Sequence, residues 1–207
     1  MCQTPDWSVG DRYLRENAPE LSSLIDRFSP CTLKPRPQED YFAILLTGIV
    51  AQQLPPDVSQ EIMQRLEVLL GKPITPAAVA QASTEALVAQ GLMAQKAEYV
   101  HNFAQAVMDE QITLNKFQEM TDEEITRQLL QIRGLGKWTI EMFLLLALCR
   151  TDVIPFADFI FQKQLQKLLG LKQAPKRGQI KELTARWSPW RSLAVWYLWA
   201  KNNNEAE

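Results

Sequence analysis

The chain has 207 residues, enough for one sizeable core or for two lobes that share one. Its 46% hydrophobic content, 22% charge and six tryptophans exclude a disordered protein, and no apolar run approaches the roughly 20 residues that span a bilayer. The net charge of −2 conceals an asymmetry: residues 1–132 carry 10 Lys/Arg against 18 Asp/Glu, whereas residues 133–207 carry 12 against 6.

In chain order, Met1-Cys2-Gln3-Thr4-Pro5-Asp6-Trp7 has no basic stretch followed by an apolar one, so no signal peptide is expected. Cys2, Cys31 and Cys149 are scattered, which fits reduced thiols and excludes a four-cysteine cluster. The expected location is the cytoplasm, at the nucleoid in a bacterium. The periodicity is helical almost throughout, with no convincing alternating strand. Helices are expected from Ala18 to about Phe28, from Gln38 to Leu54, and from Asp57 to Leu70 with Gly71 as the stop. The proline-rich stretch of Pro30, Pro35 and Pro37 separates the first two. Short helices at 76–82 and 84–90 precede a longer one from Ala94 to about Glu110. Thr121-Asp122-Glu123-Glu124 has the spacing of a capping box, which opens a helix to about Gln131. Lys137 to Leu148 is apolar nearly all round and reads as a buried helix. Three more follow, at about 159–169, 178–186 and 189–201. The fold class is all-α, with no internal repeat.

Leu130-Gln131-Ile132-Arg133-Gly134-Leu135-Gly136-Lys137-Trp138-Thr139 joins two of these helices through two glycines around one apolar residue. Such a hairpin can turn N–H groups of Gly134, Gly136 and Lys137 toward a phosphate, because glycine permits the tight turn and the close approach of another backbone. The basic part of the molecule opens at this hairpin, an asymmetry that steers a polyanion to one face. Twenty residues on, Pro155-Phe156-Ala157-Asp158 sets a carboxylate at the start of a helix, where it can cap the N–H groups of the next turn. An acid near a phosphate anchor points to chemistry on a nucleic acid. Asp152 is the competing carboxylate and is read as structuring the loop before Pro155.

Five segments carry a more specific resemblance. They are Gly48-Ile49-Val50-Ala51-Gln52-Gln53-Leu54; Gly91-Leu92 with Lys96-Ala97-Glu98-Tyr99; the hairpin; Asp152-Val153-Ile154-Pro155 with Asp158; and Trp187-Ser188-Pro189-Trp190-Arg191-Ser192-Leu193-Ala194 through Trp199. In order and approximate spacing they resemble the helix-hairpin-helix DNA glycosylases, and within them the 3-methyladenine DNA glycosylase II type, over about Tyr41 to Lys201. The resemblance implies a two-lobed helical core with the active site in the cleft between lobes. The chain is expected to be one such domain over 1–207, with one lobe at 43–150 ending in the hairpin and the other made of 1–42 plus 151–207. Longer members carry an N-terminal β domain, which is not expected here.

The resemblance assigns roles residue by residue. Asp158 would be the catalytic carboxylate, stabilising the positive charge that develops on deoxyribose as the N-glycosidic bond breaks. The DNA contacts would come from Gly134, Leu135, Gly136, Lys137 and Thr139, positioning the duplex without reading its bases. Gln53 is the first choice and Leu54 the second for the wedge that fills the gap left by a flipped nucleotide. Carbonyls of Leu130, Ile132 and Leu135 would hold a metal cation that bridges to the phosphate; no other cofactor is expected. In relatives that also cut the strand, a nucleophilic lysine stands where this chain has Trp138, and an indole forms no Schiff base. The expected activity is therefore monofunctional. Trp138, Trp199 and Met142 would line the base pocket, the indoles stacking on cationic alkylated purines. Met142 stands where a well-known member has a tyrosine. The expected partner is double-stranded DNA containing damaged bases, with no membrane association and the protein a monomer. Two alternatives remain: a glycosylase for deaminated or oxidised bases, and a non-catalytic module that binds damaged DNA.

Overall fold

A computed structural model describes residues 4–205. Among them every regular element is helical, and the described residues divide into two compact units, one of 36–143 and one combining 4–35 with 144–205. No helix among the described residues is long and apolar enough to cross a membrane.

The unit of 36–143 contains α3 (Tyr41–Val50), α4 (Pro56–Leu70), α5 (Pro76–Gln81), α6 (Thr84–Ala89), α7 (Ala94–Met108), α8 (Asp122–Leu129) and the first part of α9 (Lys137–Leu146). Side-chain caps set several of these starts. Thr75 and Ser83 accept N–H bonds from Ala78 and Ala86, and Thr121 and Glu124 form the reciprocal capping box that the spacing announced. α7 is the central element, packed against α3, α5 and α6. Phe42 stacks on Phe103 at 4.8 Å, and Tyr41 and Phe117 meet Phe143 edge-on at 5.3 and 6.0 Å. All but Phe42 and Phe143 of these rings are fully buried, and each buried ring contributes roughly 1.5–3 kcal/mol relative to exposure.

The other unit contains α1 (Trp7–Asn17), α2 (Ser22–Phe28), α10 (Phe159–Leu168), α11 (Arg177–Leu183) and α12 (Arg191–Glu205). α12 is its axis, packing on α1, α2 and α10 through Leu193, Ala194, Tyr197 and Leu198, all fully buried. α1 is a helix that the periodicity did not announce. Asp6 caps it by accepting the Ser8 N–H at 3.1 Å, and Trp7, Gly10 and Leu14 face inward at helical spacing. Gly10 sits mid-helix because a Cβ there would lie 2.6 Å from Leu193 and 2.7 Å from Trp190. Trp187 and Trp190 pack this unit: Trp187 is fully buried with its indole on Glu20, and Trp190 meets Trp7 edge-on at 6.2 Å.

Several boundaries differ from the sequence expectation, three of them clearly. The helix expected from Gln38 to Leu54 is a 3₁₀ turn at Gln38–Asp40, then α3, which stops at Val50 because the chain must turn before Pro55-Pro56. α12 runs on past 201 to Glu205. α9 is shorter than expected and is not buried all round: Trp138 is 38% and Leu146 36% exposed.

Candidate active site and nucleic-acid interface

The hairpin between α8 and α9 closes on itself. The Leu135 N–H donates to the Ile132 carbonyl at 3.1 Å, and the Gly136 carbonyl accepts from Ile140 as α9 begins. Its two glycines have different reasons to be glycine. Gly134 has φ of +94°, and a Cβ there would lie 2.7 Å from the Tyr99 ring of α7. Gly136 is exposed, and a Cβ there would meet nothing within 4 Å. The fold of this chain therefore does not require glycine at 136; the close approach of an external group would. The N–H groups of Gly134, Gly136 and Lys137 have no acceptor among the described residues, as expected at a helix start, where the dipole also favours an anion. Lys137 is exposed beside them.

Leu135 and Thr139 differ from the simplest expectation of DNA-contacting side chains. Leu135 is 4% and Thr139 7% exposed. The Thr139 methyl group packs against Gly48 of α3, where a Cβ would lie 2.3 Å away. Both side chains belong to the core, which leaves only their backbone to face a duplex. No group of three or more His, Cys, Asp or Glu side chains suited to a metal occurs among the described residues. The carbonyls of Leu130 and Leu135 accept no hydrogen bond from the described residues, and that of Ile132 keeps one lone pair beyond its bond from Leu135. An all-carbonyl set of this kind fits a hard cation, which takes oxygen ligands.

The turn after α3 meets the hairpin directly, because the Gln52 side-chain amide donates to the Gly134 carbonyl. Gln53 is exposed and holds φ of +57°, an uncommon value for a non-glycine residue that marks a constrained turn. Leu54 instead lines a small cavity of about 20 Å³ with Val50, Ile62 and Leu92. Of the two wedge candidates, only Gln53 presents its side chain outward. Trp138 and Met142 lie four residues apart on α9 and so share a face, Met142 half-buried.

Asp158 is the N-cap of α10. Its Oδ1 accepts the Phe161 N–H at 2.7 Å and the indole N–H of Trp199 at 3.0 Å, whereas Oδ2 receives no hydrogen bond from the described residues. One oxygen is thus fixed by two donors and the other is left for a ligand. The loop that delivers Asp158 is pinned to the start of α12. Ser192 N–H donates to the Thr151 carbonyl and the Val153 N–H to Ser192 Oγ, both at 2.9 Å. Asp152 takes a bidentate pair from Arg191 at 2.6 and 2.7 Å and a bond from Ser188 at 2.8 Å. Burial pushes the Asp152 carboxyl up, but the bonds from Arg191 and Ser188 outweigh it and hold it below its ordinary value. Asp152 is the structural carboxylate, as its place in the loop suggested. Past Asp158, Arg177 sits 4.2 Å above the Phe156 ring.

Trp138, Met142, the hairpin and the Gln53 turn belong to the unit of 36–143, and Asp158 and Trp199 to the other. Gln52 is a residue that sequence reasoning passed over. Its signal was a glutamine pair interrupting an apolar run.

Residues 46–189 match the profile of the HhH-GPD superfamily of base excision DNA repair proteins. The chain is 27% identical over 203 residues to the alkylbase DNA glycosidase-like protein mag2 of Schizosaccharomyces pombe, covering 96% of this chain and 95% of that one. It is 29% identical to DNA-3-methyladenine glycosylase 1 of the same yeast, covering 90% and 82%. Among solved structures, the S. pombe 3-methyladenine DNA glycosylase (Mag1) in complex with abasic DNA shares the fold with a TM-score of 0.80 at 24% identity, over 92% of this chain and 94% of that one. The DNA-3-methyladenine glycosidase of Bacillus halodurans gives 0.81 at 26% identity, over 91% and 86%. The chain belongs to the HhH-GPD superfamily of base excision DNA repair proteins.

Proposed function

We propose that this protein is a monofunctional DNA glycosylase that hydrolyses the N-glycosidic bond of alkylated purines such as 3-methyladenine, leaving an abasic site. The observation that carries the reading is Asp158, whose Oδ1 is held by the Phe161 N–H and the Trp199 indole while Oδ2 stays unengaged. Cleavage leaves positive charge on the deoxyribose. A preorganised carboxylate oxygen stabilises that charge and orients the attacking water. The relatives named as 3-methyladenine glycosylases support the substrate class. Alkylated purines are cationic, activated leaving groups, so the chemistry needs no strong general acid, and the single histidine, His101, lies on α7 away from the Asp158 loop in sequence.

In this reading the hairpin N–H groups and Lys137 hold a backbone phosphate of double-stranded DNA, and the carbonyls of Leu130, Ile132 and Leu135 would hold a cation that would add positive charge there. Gln53 enters the duplex when the damaged nucleotide leaves it, and Trp138, Met142 and Trp199 receive the extruded base. Trp138 in place of a lysine leaves the strand uncut. The protein acts as a monomer in the cytoplasm, at the nucleoid in a bacterium. The test incubates it with methylated duplex DNA and follows free bases by chromatography. Release of 3-methyladenine is expected; release only of deaminated or oxidised bases would move the substrate class, and no release from any damaged duplex would leave a DNA-binding module. Replacing Asp158 with Asn is expected to abolish release and largely preserve DNA affinity.

A further inference from the structure

Lys96, near the start of α7, is 6% exposed, and no carboxylate among the described residues pairs with it. Its ammonium group instead donates to the carbonyl of Val50 at 2.6 Å and to that of Gln52 at 2.5 Å. These carbonyls belong to the end of α3 and the turn beyond it, where the last backbone acceptors of a helix lack partners and the dipole favours a cation. A glycine or a water commonly does the same work at a helix end, and neither carries the cost of burying a charge. That burial depresses the Lys96 pKa.

What the lysine adds is position. The next residue, Gln53, is held at φ of +57°, and the residue whose backbone Lys96 grips, Gln52, reaches with its side chain to the Gly134 carbonyl. One turn further along α7, the Tyr99 ring lies beneath Gly134, where any Cβ would clash at 2.7 Å. The first turns of α7 therefore touch both ends of one assembly, the exposed Gln53 turn through Lys96 and the hairpin through Tyr99, with Gln52 closing the ring between them.

We infer that Lys96 is a positioning residue that sets the Gln53 turn at a fixed place relative to the phosphate-binding hairpin, so that the turn enters the duplex at a fixed distance from the gripped phosphate. This rests on the reading of Gln53 as the wedge. A loosened turn should leave DNA grip intact and impair extrusion of a stacked base, because unstacking is the step that the wedge has to drive.

The experiment uses the full chain with Lys96→Met, which keeps the stem and removes the ammonium group. Single-turnover base release is measured on two duplexes carrying the same alkylated purine, one normally paired and one with the lesion opposite an abasic site, where it is already loosely held. Affinity for undamaged duplex is measured beside it. The expected result is unchanged affinity, a loss of at least about tenfold on the paired lesion, and a loss several times smaller on the loosely held one. Equal losses on both duplexes, or none, would overturn the proposal. Should Lys96→Met fail to fold, Lys96→Gln, which can still donate to one carbonyl, must show the same split. A second readout is independent of catalysis: 2-aminopurine beside an abasic-site analogue brightens when its stacking partner is displaced. Wild type is expected to raise this signal, and Lys96→Met to lose most of the rise. If wild-type protein raises it yet releases no base, the glycosylase reading fails and the positioning role stands. If Gln53→Ala keeps the full rise, the wedge assignment fails, and the proposal with it.

Discussion

The indole N–H of Trp199, eight residues into α12, donates to Oδ1 of Asp158 at 3.0 Å, so the catalytic candidate is held by a helix 41 residues away in sequence as well as by its own. The same oxygen takes the Phe161 N–H at 2.7 Å. Two donors on one oxygen fix the rotation of the carboxylate and decide which oxygen is left for the reaction.

Replacing Trp199 with Phe keeps the ring and removes that donor. A hydrogen bond to a charged group is worth about 1.5–3 kcal/mol, so base release is expected to fall by about 10- to 100-fold. The loss should fall in the single-turnover rate rather than in DNA affinity, because Oδ1 orients the acid and touches no phosphate. A loss confined to affinity would remove Trp199 from the chemistry.

The two hairpin glycines are expected to separate when each becomes Ala. Gly134→Ala forces a Cβ into a positive-φ position and onto the Tyr99 ring, which costs about 1–3 kcal/mol and lowers the melting temperature by about 2–4 °C for each. Gly136→Ala meets open space and should leave the melting temperature unchanged while weakening DNA binding. Thermal unfolding and binding titrations at fixed salt check both. Equal destabilisation by the two substitutions would mean that position 136 serves the fold.

These residues also show what a sequence can carry. The capping box at Thr121 and the N-cap at Asp158 were legible because their partners lie three residues away. The hairpin was legible because two glycines around one apolar residue, between two helical patterns, stand within a few residues of each other. α1 was not, since its mid-helix Gly10 weakens the pattern and is explained only by Trp190 and Leu193 at the far end of the chain. Lys96 on Val50, Gln52 on Gly134 and Thr139 against Gly48 were equally hidden: each spans 44 residues or more, and no window along the chain relates them.

Asp152 gives the protein an acid-sensitive clamp behind the Asp158 loop. Its folded pKa lies below the unfolded one, so its contribution to stability is fully present above the unfolded value of about 3.9 and is lost as pH falls through the folded value. Asp152→Asn should therefore destabilise the protein at neutral pH, by roughly 1–3 kcal/mol for a half-buried pair that loses one partner. The gap between wild type and variant should shrink below pH ~4 as the wild-type carboxyl takes up its proton. Melting temperatures of both across pH 3 to 7, on the order of five points, would show it; a gap independent of pH would assign the loss to packing.

Trp138 is 38% exposed in the first turn of α9, immediately after Lys137 and on the same face as Met142. If Trp138 lines the base pocket as proposed, its electron-rich ring should discriminate by charge: a cationic base would gain about 0.5–2 kcal/mol from the indole face that a neutral base would not. Trp138→Leu keeps an apolar side chain and removes the ring. Release of 3-methyladenine should then fall by about 2- to 30-fold more than release of a neutral purine such as hypoxanthine, measured on matched duplexes. Equal losses would make Trp138 a packing residue. The missing lysine has its own readout. With an abasic duplex and borohydride, an enzyme that uses an amine nucleophile becomes covalently attached to DNA, because the Schiff base is reduced in place. The wild-type protein is expected to give no such adduct and to leave the abasic strand uncut; a trapped complex would show that another amine, with Lys137 the nearest, does the work assigned elsewhere to a lysine at this position.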